Sequence, residues 1–174
     1  MFKQCVLIAD AARARFFAVQ ESGDEEAVIT ERRDLVNPNG KLTDHEMLRD
    51  RRGGRRSGAA GRGAGYASDE ANSRHRAEMV RRFVRELADA ASEFVGTRKA
   101  DRLVVIASPR FLGLLRPQIR KAIPSRTEVV EFAEDLSWHA LSNIQQALRK
   151  RSVIGEREPP ANVYRPRAQH PRAR

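Results

Sequence analysis

The chain has 174 residues, with 33 lysines and arginines against 23 aspartates and glutamates, for a formal net charge of +10 at pH 7. That length fits one domain with a real hydrophobic core plus a tail and leaves two domains cramped. A single cysteine excludes an intrachain disulfide, and the longest apolar runs fall far short of the ~20 residues that span a bilayer.

The apolar run Gln4 to Ala9 predicts a buried strand, with Cys5 as a core residue because no base or second cysteine stands beside it to activate the thiol. Asp10 and Arg13 break the apolar stretch after Lys3, so it does not read as a signal peptide; a cytoplasmic location without membrane insertion is expected. Ala14 to Gln20 and Ala27 to Val36 predict two further strands, and the short connections Asp10 to Arg13 and Glu21 to Glu26 make the three an antiparallel meander. Asn37-Pro38-Asn39-Gly40 ends the third strand, and a polar loop over 37–68 follows, of a length that in compact domains is functional or disordered.

Ser68 reads as the N-cap of a long helix with Asp69 and Glu70 in its first turn. Met79, Val80, Phe83, Leu87, Ala91 and Phe94 form one apolar stripe along it, and Gly96 is its expected stop. Leu103 to Ala107 predicts a strand covered on both faces, and Ser108-Pro109 opens a helix that Pro124 terminates. Thr127 to Phe132 predicts a strand and Ser137 to Lys150 a helix, with Trp138, Leu141, Ile144 and Leu148 on its inner face. The order β-β-β-α-β-α-β-α predicts an α/β fold over 1–150, a mixed five-stranded sheet in the ribonuclease H-like layout. The basic, Pro/Arg-rich tail over 151–174 has little to bury and is expected to be disordered.

Charge is unevenly spread. Residues 49–65 hold six arginines and six glycines with one acid, Asp50, and carry +5; the tail from residue 149 carries +6, and the remaining two stretches sum to near neutrality at −3 and +2. Such concentration suits contact with a polyanion, with RNA the first candidate. The expected contacts are Arg51, Arg52, Gly53, Gly54, Arg55, Arg56 and Arg62, continued by Arg74, Arg76 and Arg81 on the helix. Glycines admit close approach to phosphate and arginines neutralise it. Glu78 to Arg82, Arg82 to Glu86 and Arg85 to Asp89 have the i,i+4 spacing of ordinary surface ion pairs. Aromatic residues for base stacking are scarce, with Tyr66 the one ring beside the loop.

Catalytic constellations are missing. Ribonuclease H-like nucleases clamp two metal ions between carboxylates. Here Asp10 follows the first strand and Glu70 or Glu78 lies on the first helix, but the fourth strand runs into Ala107-Ser108-Pro109-Arg110, with Arg110 where a ligand is needed. Asp101 lies at the wrong end of that strand, Asp135 follows the fifth, and Asp10 reads first as a turn residue. His45, His75, His139 and His170 have no metal-ligand spacing, and no Walker loop or G-x-S-x-G elbow is present, so no metal or other cofactor is expected.

Several stretches together resemble the bacterial family of proteins required for attachment to host cells, relatives of archaeal and eukaryotic peptide chain release factors. They are Ala9-Asp10-x-x-Arg13-Ala14-Arg15-x-Phe17, Asn37-Pro38-x-Gly40-Lys41-Leu42-x-Asp44, Asp50-Arg51, Arg102-Leu103-Val104, Ala107-x-Pro109-Arg110-Phe111-Leu112-Gly113-Leu114-Leu115-Arg116 and Asp135-Leu136. The resemblance implies the fold of a release-factor middle domain and marks Asp10, Arg13 and Arg110 as possible functional positions. In release factors a Gly-Gly-Gln loop before a long Arg-rich helix promotes peptidyl-tRNA hydrolysis; this chain carries Gly53-Gly54-Arg55, and arginine cannot orient water as glutamine does. The expectation is therefore a non-catalytic module that binds RNA or the ribosome and affects attachment indirectly. Its alternatives are a surface or protein-interaction factor with a protein partner, and a release-factor-like or metal-dependent hydrolase.

Overall fold

Two apolar hexapeptides, Gln4–Ala9 and Arg102–Ala107, lie side by side in the middle of the sheet and are buried on both faces, as continuous apolar runs require. The computed structural model describes residues 3–20, 27–37, 65–154 and 163–164, with 65–73 and 163–164 as backbone. Its strands are β1 (Gln4–Ala9), β2 (Arg13–Gln20), β3 (Val28–Val36), β4 (Arg102–Ala107), β5 (Glu128–Ala133) and β6 (Val163–Tyr164), in the spatial order β3-β2-β1-β4-β5-β6. β1 pairs antiparallel with β2 and parallel with β4, so the meander and the crossover half of the sheet meet along it. The sheet has six strands where five were expected. β6, two residues flanked by prolines and charges, is too short to leave a periodic signal and pairs antiparallel with the edge of β5.

Alternation along the central strands sorts their side chains to two layers. Leu7, Phe16, Leu103 and Val105 pack against α1 (Gly65–Arg98) and α2 (Pro109–Ala122). Val6, Ile8, Val104 and Ile106 pack on the opposite face against Ile144 and Leu148 of α3 (Leu141–Lys150). Cys5 is 1% exposed, and burial pushes its thiol up to about 11, in keeping with a core role.

Both ends of α1 differ from expectation. α1 begins at Gly65, ahead of Ser68, so Asp69 and Glu70 fall after its first turn. It also passes through Gly96 and stops where Lys99 takes φ 50°, with the Lys99 N–H bonded to the Gly96 carbonyl (3.1 Å) and the Ala100 N–H to the Val95 carbonyl (3.0 Å). This is a Schellman closure on a lysine, sealed by the buried pair Val95 and Ala100. α3 ends at Lys150, as expected, with the same closure: Ser152 has φ 53°, its N–H reaches the Arg149 carbonyl (3.0 Å), and the Val153 N–H reaches the Leu148 carbonyl (3.0 Å). That turn directs Val153 and Ile154 into the core, and the Gln4 amide holds the Val153 carbonyl at 2.7 Å. Packing thus continues past residue 150, the expected start of the tail; 155–162 and 165–174 lie outside the described residues.

α1 runs antiparallel to β4. Its last turn meets the amino edge of the sheet, where the Lys3 carbonyl receives the Asp101 N–H (2.8 Å), and Phe83 stacks on Phe111 of α2 at the carboxyl edge (6.4 Å between centroids). Among the helix residues whose side chains are described, 74–78 are all exposed and burial starts at Val80. At 1.5 Å per residue, 65–79 carry the helix about 20 Å beyond the carboxyl edge.

Candidate functional site

From the carboxyl ends of β1 and β4 the chain departs in opposite directions, to β2 and to β5, the kind of position at which open α/β sheets bind ligands. Asp10, 8% exposed, lies there. Its Oδ1 accepts the N–H groups of Ala12 (2.6 Å) and Arg13 (2.7 Å), an Asx turn that closes the β1–β2 hairpin. Its Oδ2 accepts the Ser137 hydroxyl (2.6 Å) and the Trp138 indole N–H (2.7 Å), which ties the hairpin to the segment after β5. Ser137 Oγ also stands 2.7 Å from Asp135 Oδ1, and its single hydrogen serves one carboxylate at a time.

These bonds explain why α3 starts at Leu141 and not at Ser137: Ser137 and Trp138 spend their donors on Asp10, across more than a hundred residues of sequence, and the backbone there turns. Trp138, expected on the inner face of the helix, is 68% exposed. Arg15 steadies the same turn from below. Its Nε and Nη2 grip Glu31 (2.9 and 2.7 Å), and its Nη1 donates to the carbonyls of His139 (2.8 Å) and Ser137 (3.5 Å). Arg13 forms a bidentate pair with Asp34 (2.9 and 2.6 Å), and its guanidinium lies 5.6 Å from the centre of the Trp138 ring. The hydrogen bond from Arg13 holds the Asp34 carboxyl below its ordinary range, and the same bond holds the Arg13 guanidinium above its own.

Arg110 is exposed in the first turn of α2, at the same edge. Arg74, Arg76 and Arg81 are exposed on the projecting part of α1 and the turn after it. Glu78 pairs with Arg81 (3.6 Å) and Arg85 (3.1 Å), at i,i+3 and i,i+7, in place of the expected i,i+4 partner Arg82. Its carboxyl is held below its ordinary range, chiefly by Arg85. Arg51, Arg52, Gly53, Gly54, Arg55, Arg56 and Arg62 lie outside the described residues. The segment containing them starts after Asn37, a buried residue whose N–H and side-chain amide bond the Ala12 and Ala11 carbonyls (2.8 and 2.9 Å), and ends at the outer tip of α1.

Among the described residues no group of three His, Cys, Asp or Glu side chains is placed to hold a metal ion, and no helix is long and apolar enough to cross a membrane. The structure therefore gathers Asp10, Arg13 and Arg110 at one edge and adds Ser137 and Trp138, which the sequence reading missed. One signal was present: in Asp135-Leu136-Ser137 an Asp two residues before a Ser favours an Asx turn over a helix start, as the Ser137 N–H to Asp135 Oδ1 contact (3.3 Å) bears out.

A family model described as "Protein required for attachment to host cells" matches residues 5–148. No curated protein matches the chain. Among solved structures, the type II variant of the Ppx/GppA phosphatase of Aquifex aeolicus aligns at 11% identity over 75% of this chain and 36% of that one, with a TM-score of 0.41. The chain spans about a third of the length of that phosphatase.

Proposed function

Since the chain belongs to the family of proteins required for attachment to host cells, we propose that it serves there as a non-catalytic RNA- or ribosome-binding module. In this reading the fold is ribonuclease H-like, as in a release-factor middle domain, and the effect on attachment is indirect. The observation that carries it is the overhang of α1. A helix needs no 20 Å extension past its sheet for stability, yet this one extends with exposed Arg74 and Arg76 and delivers the chain to the Gly/Arg segment at its tip. Arginines in such an arrangement neutralise successive phosphates with bidentate hydrogen bonds and release counterions. Asp10 supports the non-catalytic side of the reading, because four donor groups of the chain itself already surround its carboxylate.

Binding of a structureless RNA through about four or five phosphates gives log K against log salt a slope of about −3, at roughly −0.7 per single-strand contact. Changing Arg51, Arg52, Arg55 and Arg56 together to Ala flattens that slope and leaves the melting temperature of the described core in place. RNA affinity and slope equal to those of the parent chain would refute the assignment. Sedimentation of lysate at low and high salt separates free RNA from the ribosome as the partner.

A further inference from the structure

We infer that Trp138 is a stacking platform for an unpaired base of single-stranded RNA. The inference rests on the RNA reading above and adds to it the point where a base, and not a phosphate, is held. Trp138 belongs to neither core cluster, and 68% of it is exposed. A tryptophan whose N–H is bonded to the protein while its ring stays open is of the kind enriched at interfaces. It is also held at several points. The indole N–H is bonded to Asp10, which is buried and anchored in the β1–β2 turn, and Arg15 grips the backbone carbonyls on both sides of the ring, at Ser137 and His139. A ring already fixed loses little freedom when a ligand stacks on it.

The surroundings choose the occupant. Arg13, fixed by Asp34, sets its positive charge 5.6 Å from the ring centre, and Arg110 is exposed at the same edge of the sheet. Cations beside an exposed aromatic ring are the two halves of a single-strand site: the charges track the backbone and the ring takes a base, whichever base it is. Paired bases in a duplex offer no such face, so the site prefers unpaired RNA. From this edge α1 projects on one face of the sheet while Trp138 lies toward the α3 face, so a strand crossing the crest meets both.

The chain has one tryptophan, so emission excited beyond the absorption of its two tyrosines reports this ring alone. The whole 174-residue chain is titrated with an unstructured mixed-sequence RNA of about 12 nucleotides and with an abasic ribose-phosphate oligomer of the same length. Expected is quenching by the RNA but not by the abasic oligomer, although both bind with similar salt slopes. W138A weakens RNA binding about tenfold, leaves the abasic oligomer unaffected and leaves the slope unchanged, because stacking neutralises no phosphate. W138F, followed with labelled RNA, keeps most of the affinity, which guards against loss of fold as the cause. RNA that binds with its normal slope while the emission stays unmoved and W138A binds like the parent overturns the stacking site, leaves the RNA reading intact and turns the exposed ring over to an apolar protein partner. Absence of RNA binding at every salt concentration overturns both.

Discussion

From Val80 to Val95 helix α1 buries Phe83, Leu87, Ala91 and Phe94 against the sheet, whereas from Arg74 to Glu78 every residue is exposed. The charges divide in nearly the same way: basic residues prevail up to Arg85, and Glu86, Asp89 and Glu93 prevail after it. One continuous helix thus serves two ends. The packed half sets the stability, and the outer half is sustained by propagation from it, since adding residues to an existing helix is far easier than starting one. The same division holds for the molecule, with its double-layered core on one side and the bonded, exposed carboxyl edge on the other. Changes in the first region should move stability without touching RNA binding, and changes in the second should move RNA binding with at most a small effect on stability.

The largest effect is expected in the packed half. Leu87 is fully buried, and L87A should lower the unfolding free energy by about 3 kcal/mol in denaturant titration, the transfer loss plus a cavity. The salt dependence of RNA binding, measured well below the new melting temperature, should stay as it was. Arg15 stands at the border between the two regions. R15M leaves Glu31 without its guanidinium and frees the Ser137 and His139 carbonyls; with Glu31 still 31% exposed, a loss of about 2 kcal/mol is expected. It should also loosen Trp138, visible as a red shift of the emission before any unfolding.

Next comes a gain. Lys99 holds the left-handed position that closes α1, where a side chain costs about 1 kcal/mol relative to glycine. K99G should therefore raise stability by about that amount, and a loss would mean that the lysine side chain holds the turn.

That lysine shows where sequence reading reached its limit. Strands β1 and β4 were legible because a sheet covered on both faces demands unbroken apolar runs, and the inner half of α1 was legible because its stripe repeats every three or four residues. Helix ends were not, since Lys99 and Ser152 take conformations that usually advertise themselves as glycine, and the buried contacts that compensate, Val95 with Ala100 and Leu148 with Val153, are visible only in the fold. In the site, Asp10 was readable as a turn residue from its neighbours. Ser137 and Trp138 were not, because their partner is about 130 residues away and local periodicity favoured a helix through both.

A smaller effect tests the edge by pH. Hydrogen bonding to Arg13 lowers the Asp34 pKa in the folded state, so the pair contributes stability that is complete above the unfolded value of about 4 and disappears as pH falls through the folded value. Both partners are partly exposed, at 26% and 37%, and screening limits the contribution to about 0.5 kcal/mol. The stability difference between the parent and D34N should therefore be level from pH 7 to about 5 and close below about 4. A difference that grows on acidification would contradict the pairing.

The smallest stability effect is expected from R76A, and it is the most exacting for the comparison. Arg76 is exposed on a stretch of α1 where every residue from 74 to 78 is exposed, and alanine is a better helix former than arginine, so the unfolding free energy should change by less than about 0.5 kcal/mol. If Arg76 meets one phosphate, the same exchange should reduce the slope of log K against log salt by about 0.7. A destabilisation above about 1 kcal/mol would mean that the overhang is packed against the rest of the chain, and the division of α1 into a structural half and a binding half would fail with it. An unchanged slope with unchanged stability would move the phosphate contacts off the helix and leave them to the Gly/Arg segment alone.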